Sequence, residues 1–137
     1  MTLDDLSALV AQAEFHKFLK LDVTACDDEN GTVAFRLPYD EAYTLFAKVG
    51  NYHGGIIAAL ADVAGTMACS VKVGRPTPTV NLRIDYLQAP CKVDLIAEGQ
   101  AVKTGRSIGV ADVTIRGDDG TLFAVARGTF NTASAGE

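Results

Sequence analysis

The sequence predicts an α+β domain: an antiparallel sheet of about six strands wrapped around one long apolar helix, with a further helix at the N-terminus. Three observations carry this. Residues 54–71 place apolar side chains at helical spacing with a single charge, Asp62. Residues 79–130 break into strand-length runs separated by hairpin-sized turns. The 137 residues, 48% hydrophobic and 21% charged, supply one core, and with no repeat or linker the whole of 1–137 is expected to be a single domain.

Each element has its own signal. Leu3, Leu6, Leu9, Val10, Ala13, Phe18 and Leu19 recur at helical spacing behind Asp4 and Asp5, which favour the positive end of a helix. Residues 3–19 therefore read as an amphipathic helix, broken near its end. Asn30-Gly31 marks a tight turn between strands 21–26 and 32–37, and Val33, Phe35 and Leu37 alternate with polar or small neighbours. Residues 38–52 sustain neither period and read as a loop with one helical turn.

In the long helix, Ile56, Ile57, Leu60, Val63, Ala64, Met67 and Val71 share one arc, the stripe of a core helix. Gly55, Ala58, Ala59, Asp62, Gly65, Thr66 and Cys69 occupy the other. That arc lacks long polar side chains, so it is suited to close approach, facing outward or toward a second subunit. The strands that follow are expected at 79–87, 92–103, 107–116 and 121–130. Val80, Leu82, Ile84 and Tyr86 alternate with Thr79, Asn81, Arg83 and Asp85, predicting one buried and one polar face. Breaks at 89–90, 104–105 and 117–120 predict that the four strands form an antiparallel meander, and 132–137 read as a frayed tail.

Charge and composition exclude several classes. Twelve Lys and Arg against 17 Asp and Glu give a net charge of -5, the wrong sign for a nucleic-acid partner. Three widely spaced cysteines form no CxxC and no disulfide framework, which fits a reducing cytoplasm. Asp4 and Asp5 stand where a secretory signal would carry Lys or Arg, and no unbroken apolar stretch of membrane-spanning length occurs, so neither export nor a membrane is expected. Two histidines without HxH or HExxH predict no metal site. No GxGxxG, GxxxxGK or GxSxG occurs, so no phosphate loop or serine-hydrolase elbow is present.

The residues with chemical potential cluster at the helix entry. His53-Gly54-Gly55 stands where the loop meets the long helix, so unpaired N–H groups and the positive dipole end face outward there. The N–H of Gly54 or Gly55 suits an oxyanion or a polarised carbonyl, and the absent side chain lets a ligand approach the backbone. Asp62 follows nine residues after His53, in a small-residue setting that favours a general base or nucleophile over a solvated surface charge.

The stretch from Gly50 to Ala68, with Gly50, then His53-Gly54-Gly55, then an acidic residue nine positions after the His, resembles the hot-dog-fold acyl-CoA thioesterases of the PaaI-like, phenylacetate-pathway type, in the 4-hydroxybenzoyl-CoA thioesterase superfamily. The similarity extends through Thr79 to Pro90, Lys103 to Ser107 and Gly128 to Phe130. It implies hydrolysis of an acyl-CoA to a free acid and coenzyme A without a cofactor. Asp62 would be nucleophile or general base, Gly54 N–H would polarise the thioester carbonyl, His53 would orient the thioester or the loop, and Thr79 would hold the attacking water. Gly55 would contact substrate. Arg83, Lys103 and Arg106 are candidates for the phosphates of coenzyme A. The resemblance also implies a site shared between subunits, hence a homodimer at least and by preference a homotetramer. Family members commonly carry an Asn six residues before the His; here that position is Ala47, and Asn51 is the candidate replacement. Two further readings use the same residues: a hot-dog acyl-CoA hydratase or dehydratase, and a non-catalytic acyl-CoA-binding protein, motivated by Ala47.

Overall fold

The computed structural model describes residues 1–134. Its central element is α3 (Gly54–Val73), which starts at the N-cap His53 and stops at Gly74, whose φ of 73° places it in the left-handed region favoured by glycine. Around it lie α1 (Leu3–Val10), α2 (Glu14–Leu19), β1 (Asp22–Asp27), β2 (Thr32–Leu37), β3 (Thr44–Phe46), β4 (Asn51–Tyr52), β5 (Thr79–Tyr86), β6 (Leu95–Thr104), β7 (Ile108–Arg116) and β8 (Leu122–Asn131). Six strands form one antiparallel sheet in the order β1-β2-β6-β7-β8-β5, while β3 and β4 pair separately. This is the hot-dog fold.

The core is the contact between α3 and the sheet. Leu60, Ala61, Ala64 and Ala68 of the helix are sealed against Phe35, Leu95, Ala97, Ala111, Ile115 and Phe130 of the strands. Glycines set the distance. A Cβ on Gly99 of β6 would lie 2.9 Å from the Ala64 carbonyl carbon, and one on Gly65 would lie 2.7 Å from Cζ of the buried Phe130. The sheet curls far enough to bury Gly65 and Cys69 as well, so the small-residue arc is narrower than the helical wheel suggests. Burial pushes the Cys69 thiol up to about 11. Gly55, Ala58, Ala59, Asp62 and Thr66 remain uncovered or half-covered. By length and mean hydropathy (1.6) α3 could cross a membrane, but here it is the core helix.

The N-terminal helix is divided earlier than its periodicity suggests. Thr2 and Asp5 form a reciprocal capping box at the start of α1 (3.1 and 2.8 Å). The chain then breaks at residues 11–13, where the Val10 carbonyl at the helix end accepts from His16 Nδ1 at 3.0 Å and from the Ala13 N–H at 3.4 Å. Leu6, Val10 and Leu19 are buried on either side of the break, so the apolar stripe runs through it without marking it. Residues 38–52 contain the expected single turn, a 3-10 turn at Glu41–Tyr43. The additional strands β3 and β4 are three and two residues long, too short to display an alternation.

The expected four-strand meander is corrected to three. β6, β7 and β8 are consecutive, but β5 pairs with β8 at the far edge. A strand has two hydrogen-bonding edges, and those of β6 are taken by β2 and β7. β5 must therefore use the open edge of β8. At that position its apolar side is incompletely covered: Val80 and Tyr86 are 58% and 50% exposed, where one buried face was expected. The frayed tail is also corrected at its start. Thr132 is fully buried; its hydroxyl donates to the Gly105 carbonyl at 2.6 Å, and its own carbonyl accepts from Arg75 Nε at 3.1 Å. Residues 135–137 lie outside the described residues.

Because the obstacle at Gly99 is helix backbone, Gly99→Ala is expected to push α3 off β6 and destabilise the fold by about 1–3 kcal/mol. Urea unfolding should show a lower midpoint at unchanged slope.

Candidate active site

His53 caps α3 with its side chain: the Gly55 N–H donates to His53 Nδ1 at 2.8 Å. Nδ1 is therefore an unprotonated acceptor in this arrangement, and the ring proton of the neutral tautomer lies on Nε2. This cap occupies the Gly55 N–H. The Gly54 N–H makes no hydrogen bond among the described residues, so of the two donors at the helix entry it is the one available to a ligand. The Tyr86 hydroxyl donates to the Gly54 carbonyl at 2.8 Å, fixing the start of the helix to β5.

Asp62 lies two turns along α3, half-buried, and its Oδ1 accepts from the Thr79 hydroxyl at 2.7 Å. Among the described residues, Asp62 Oδ2 makes no hydrogen bond. Thr79 reaches Asp62 because of a bulge. Along β5, Leu82 and Ile84 face the helix, so simple alternation would turn Thr79 outward with Asn81, Arg83 and Asp85. The register instead pairs Thr79 with Phe130 and Asn81 with Thr129, two steps on β5 against one on β8. The extra residue, Val80, turns Thr79 toward the helix. Thr66, one turn after Asp62, places its hydroxyl 3.3 Å from that of Thr79. With the Thr79 proton directed at Asp62, the Thr66 proton points to the Thr79 oxygen, giving a one-way chain of hydroxyls ending on the carboxylate.

The other anticipated residues are placed elsewhere. Arg83 projects from the outer face of the sheet, 3.3 Å from Asp85 Oδ1. Lys103 and Arg106 are exposed at the end of β6 and in the following turn. That turn is tied through Thr132 to Arg75, just beyond the C-terminal end of α3, while His53 and Gly54 occupy the opposite end of this 20-residue helix. Asn51 stands in β4 with its Oδ1 enclosed and unpartnered, and it makes no bond to His53, Gly54 or Asp62. Among the described residues, no three of His, Cys, Asp and Glu converge to hold a metal ion. Sequence reasoning missed Tyr86, read as a core residue, and the hydroxyl role of Thr66, read only as a small one.

The folded arrangement, a curled antiparallel sheet around a helix that presents a bare N–H at its start and a carboxylate on its uncovered face, defines a hot-dog-fold thioester hydrolase. The chain belongs to the thioesterase superfamily, whose family model matches residues 49–124. It is 34% identical to a provisionally named esterase of Halobacterium salinarum, over 93% of this chain and 92% of that one. It is 27% identical to human acyl-coenzyme A thioesterase 13, over 90% and 89% of the two chains. The crystal structure of zebrafish thioesterase superfamily member 2 superposes with a TM-score of 0.85 at 28% identity, covering 96% of this chain and 98% of that one.

If His53 serves first as a cap, His53→Ala should cost about 1 kcal/mol of stability, while His53→Asn should restore most of it, since Asn is a strong N-cap residue. Denaturant midpoints of the two variants check this.

Proposed function

We propose that the protein is an acyl-CoA thioesterase whose active site is completed by a second copy of the chain. The observation that carries the proposal is the spacing along α3. Gly54 and Asp62 are eight residues apart, about 12 Å along a helix. A carboxylate acting at a carbonyl carbon and a donor on its oxygen must both lie within about 3–3.5 Å of their targets. The two groups of one chain cannot serve one thioester. Gly54 of one protomer and Asp62 of its partner can.

Three features support such a pairing. The uncovered face of α3 around Asp62 carries only small side chains. The second edge of β5 has no strand beside it in the sheet, and Val80, Tyr86 and Leu87 along that border are each at least half exposed. Unpaired strand edges and apolar side chains of this kind mark surfaces that associate. Each chain, as a single domain, then supplies half of each of two sites, and a tetramer is a pair of these dimers.

In the completed site the Gly54 N–H and the helix dipole polarise the thioester carbonyl. Thr79 holds Asp62 Oδ1, and Oδ2 either attacks the carbonyl carbon or takes a proton from the attacking water. Water adds and the coenzyme A thiolate leaves as thiol, giving the free acid. His53 shapes the entry by capping the helix, and Gly55 leaves room for the substrate beside it. The exposed cations Lys103, Arg106 and Arg83 are the candidates for the phosphates of coenzyme A, Arg83 from the outer face of the sheet. Asn51 makes no bond to Gly54 within one chain, so in this reading the Gly54 N–H polarises the carbonyl at the position where Ala47 replaces the family's Asn. Three unpaired cysteines favour a reducing, cytoplasmic setting.

Thiol release from acyl-CoAs, followed with a chromogenic disulfide, should fall roughly a hundred- to ten-thousand-fold in Asp62→Asn. Gly54→Pro deletes the N–H without disturbing the backbone. Proline is favoured at the first helical position, and His53, at φ -65° and ψ 132°, already has the conformation a following proline requires. It should lose activity similarly. Mixing the two inactive variants under exchange conditions should restore about one quarter of the wild-type rate, because half the dimers are mixed and each has one intact site. No recovery, with mixed dimers demonstrated, would overturn the shared site.

A further inference from the structure

The Gly54 N–H shares a peptide unit with the His53 carbonyl, and the helix alone does not secure that unit. The carbonyl accepts from the Ile56 N–H at 3.0 Å, but from the Ile57 N–H at 3.5 Å, beyond the usual range of an α-helical bond. The first turn of α3 is therefore loosely closed. It also opens on Gly54 and Gly55, a residue type with the widest backbone freedom. We propose that Tyr86 is a positioning residue of the reaction, whose hydroxyl acts through the Gly54 carbonyl to aim the Gly54 N–H at the thioester oxygen. This deepens the thioesterase reading above and rests on it.

The peptide units on either side of this one are firmly held. Before it, the His53 N–H donates to the Tyr43 carbonyl at 2.8 Å. After it, the unit between Gly54 and Gly55 is held at both groups: its carbonyl accepts from the Tyr86 hydroxyl at 2.8 Å, and its N–H donates to His53 Nδ1 at 2.8 Å. Planar units leave two soft torsions per residue, so fixing the units before and after restricts the N–H between them. Tyr86 supplies the tie that comes from outside the helix. The His53 cap turns with the very unit it would have to steady.

Tyr86 is suited to this task by its own placement. It pairs with Ala124 in the sheet, and just beyond it the N–H groups of Leu87 and Gln88 both donate to the Phe123 carbonyl, at 2.8 and 3.2 Å. The phenol lies on the open side of Gly54, where a Cβ would stand 3.5 Å from both Cζ and Oη. Its ring is half exposed, so core packing accounts for neither the ring nor its oxygen. β5 thereby carries one hydroxyl for each reacting group. Thr79 at its start holds Asp62, and Tyr86 at its end holds Gly54.

Tyr86→Phe removes the oxygen and keeps the ring. Thiol release from acyl-CoA should show kcat lowered roughly ten- to a hundredfold with KM within about twofold of the wild type, since aim matters most in the transition state. The urea midpoint should stay close to that of the wild type. Non-additivity separates positioning from a general structural effect. With enzyme in excess, single turnovers of Gly54→Pro and of Gly54→Pro combined with Tyr86→Phe should be equally slow, because a residue acting through the N–H has nothing to aim once the N–H is gone. A Tyr86→Phe variant at full rate, or a double variant slowed by the product of the two single effects, would overturn the inference and leave the thioesterase reading standing. A second readout does not depend on turnover. In nitrogen-15-labelled protein the Gly54 amide signal should broaden or split in Tyr86→Phe, while that of Val63, further along α3, keeps its wild-type line. An unchanged Gly54 signal would refute the role of Tyr86. An altered signal, in a protein whose wild type releases no thiol from any acyl-CoA, would overturn the thioesterase reading, and with it the catalytic assignment, rather than the hold of Tyr86 on the N–H.

Discussion

The close seating of α3 on the sheet is the contact on which the other features depend. Gly99 lets the Ala64 carbonyl approach β6 more closely than any side chain would permit, and Gly65 does the same for Phe130. Interiors packed this tightly transmit small displacements rather than absorbing them. The position of the helix fixes the place of the Gly54 N–H at one end and the distance of Asp62 from β5 in the middle. The same two glycines serve the packing of the core and the geometry of the candidate site together.

A single irregularity on β5 then completes the carboxylate's surroundings. An unbulged strand would put Thr79 on the outer face beside Asn81 and Arg83, with Asp62 lacking its donor. The extra residue at Val80 turns one side chain over without altering the rest of the strand, because Asn81 and every later residue regain the regular register with β8. The hydroxyl of Thr66 backs the arrangement from the helix side. His53 contributes in a comparable way. It holds the second N–H of α3 with its own Nδ1, which leaves the first as the free donor at the helix entry.

Much of the fold was legible in the residues. The helix at 54–71, the hairpin around Asn30-Gly31, and the strands over β6, β7 and β8 each have a periodic pattern long enough to register, and turns whose chemistry is local. What escaped had specific causes. The break at residues 11–13 interrupts no hydrophobic period, since Val10 and Leu19 are buried on either side of it. β3 and β4 are too short to alternate. β5 pairs with β8 rather than with its sequence neighbour because the edges of β6 were already occupied, a competition visible only once β2 has been placed. The burial of Thr132 likewise depends on Gly105 and Arg75, distant in sequence.

For the site, the sequence by itself determined which groups stand together along the chain: a glycine pair and a histidine at a helix entry, and one carboxylate nine residues on from that histidine among small neighbours. These are local facts, because capping, dipole and helical spacing act over a few residues. Only the tertiary structure decided which groups meet. Thr79 turned inward to Asp62, Arg83 was carried to the opposite face, Asn51 was left unbonded to Gly54, and Tyr86 was drawn onto Gly54. Each outcome depends on strand register and on the curl of the sheet around α3, and both are set by contacts between residues far apart in the chain.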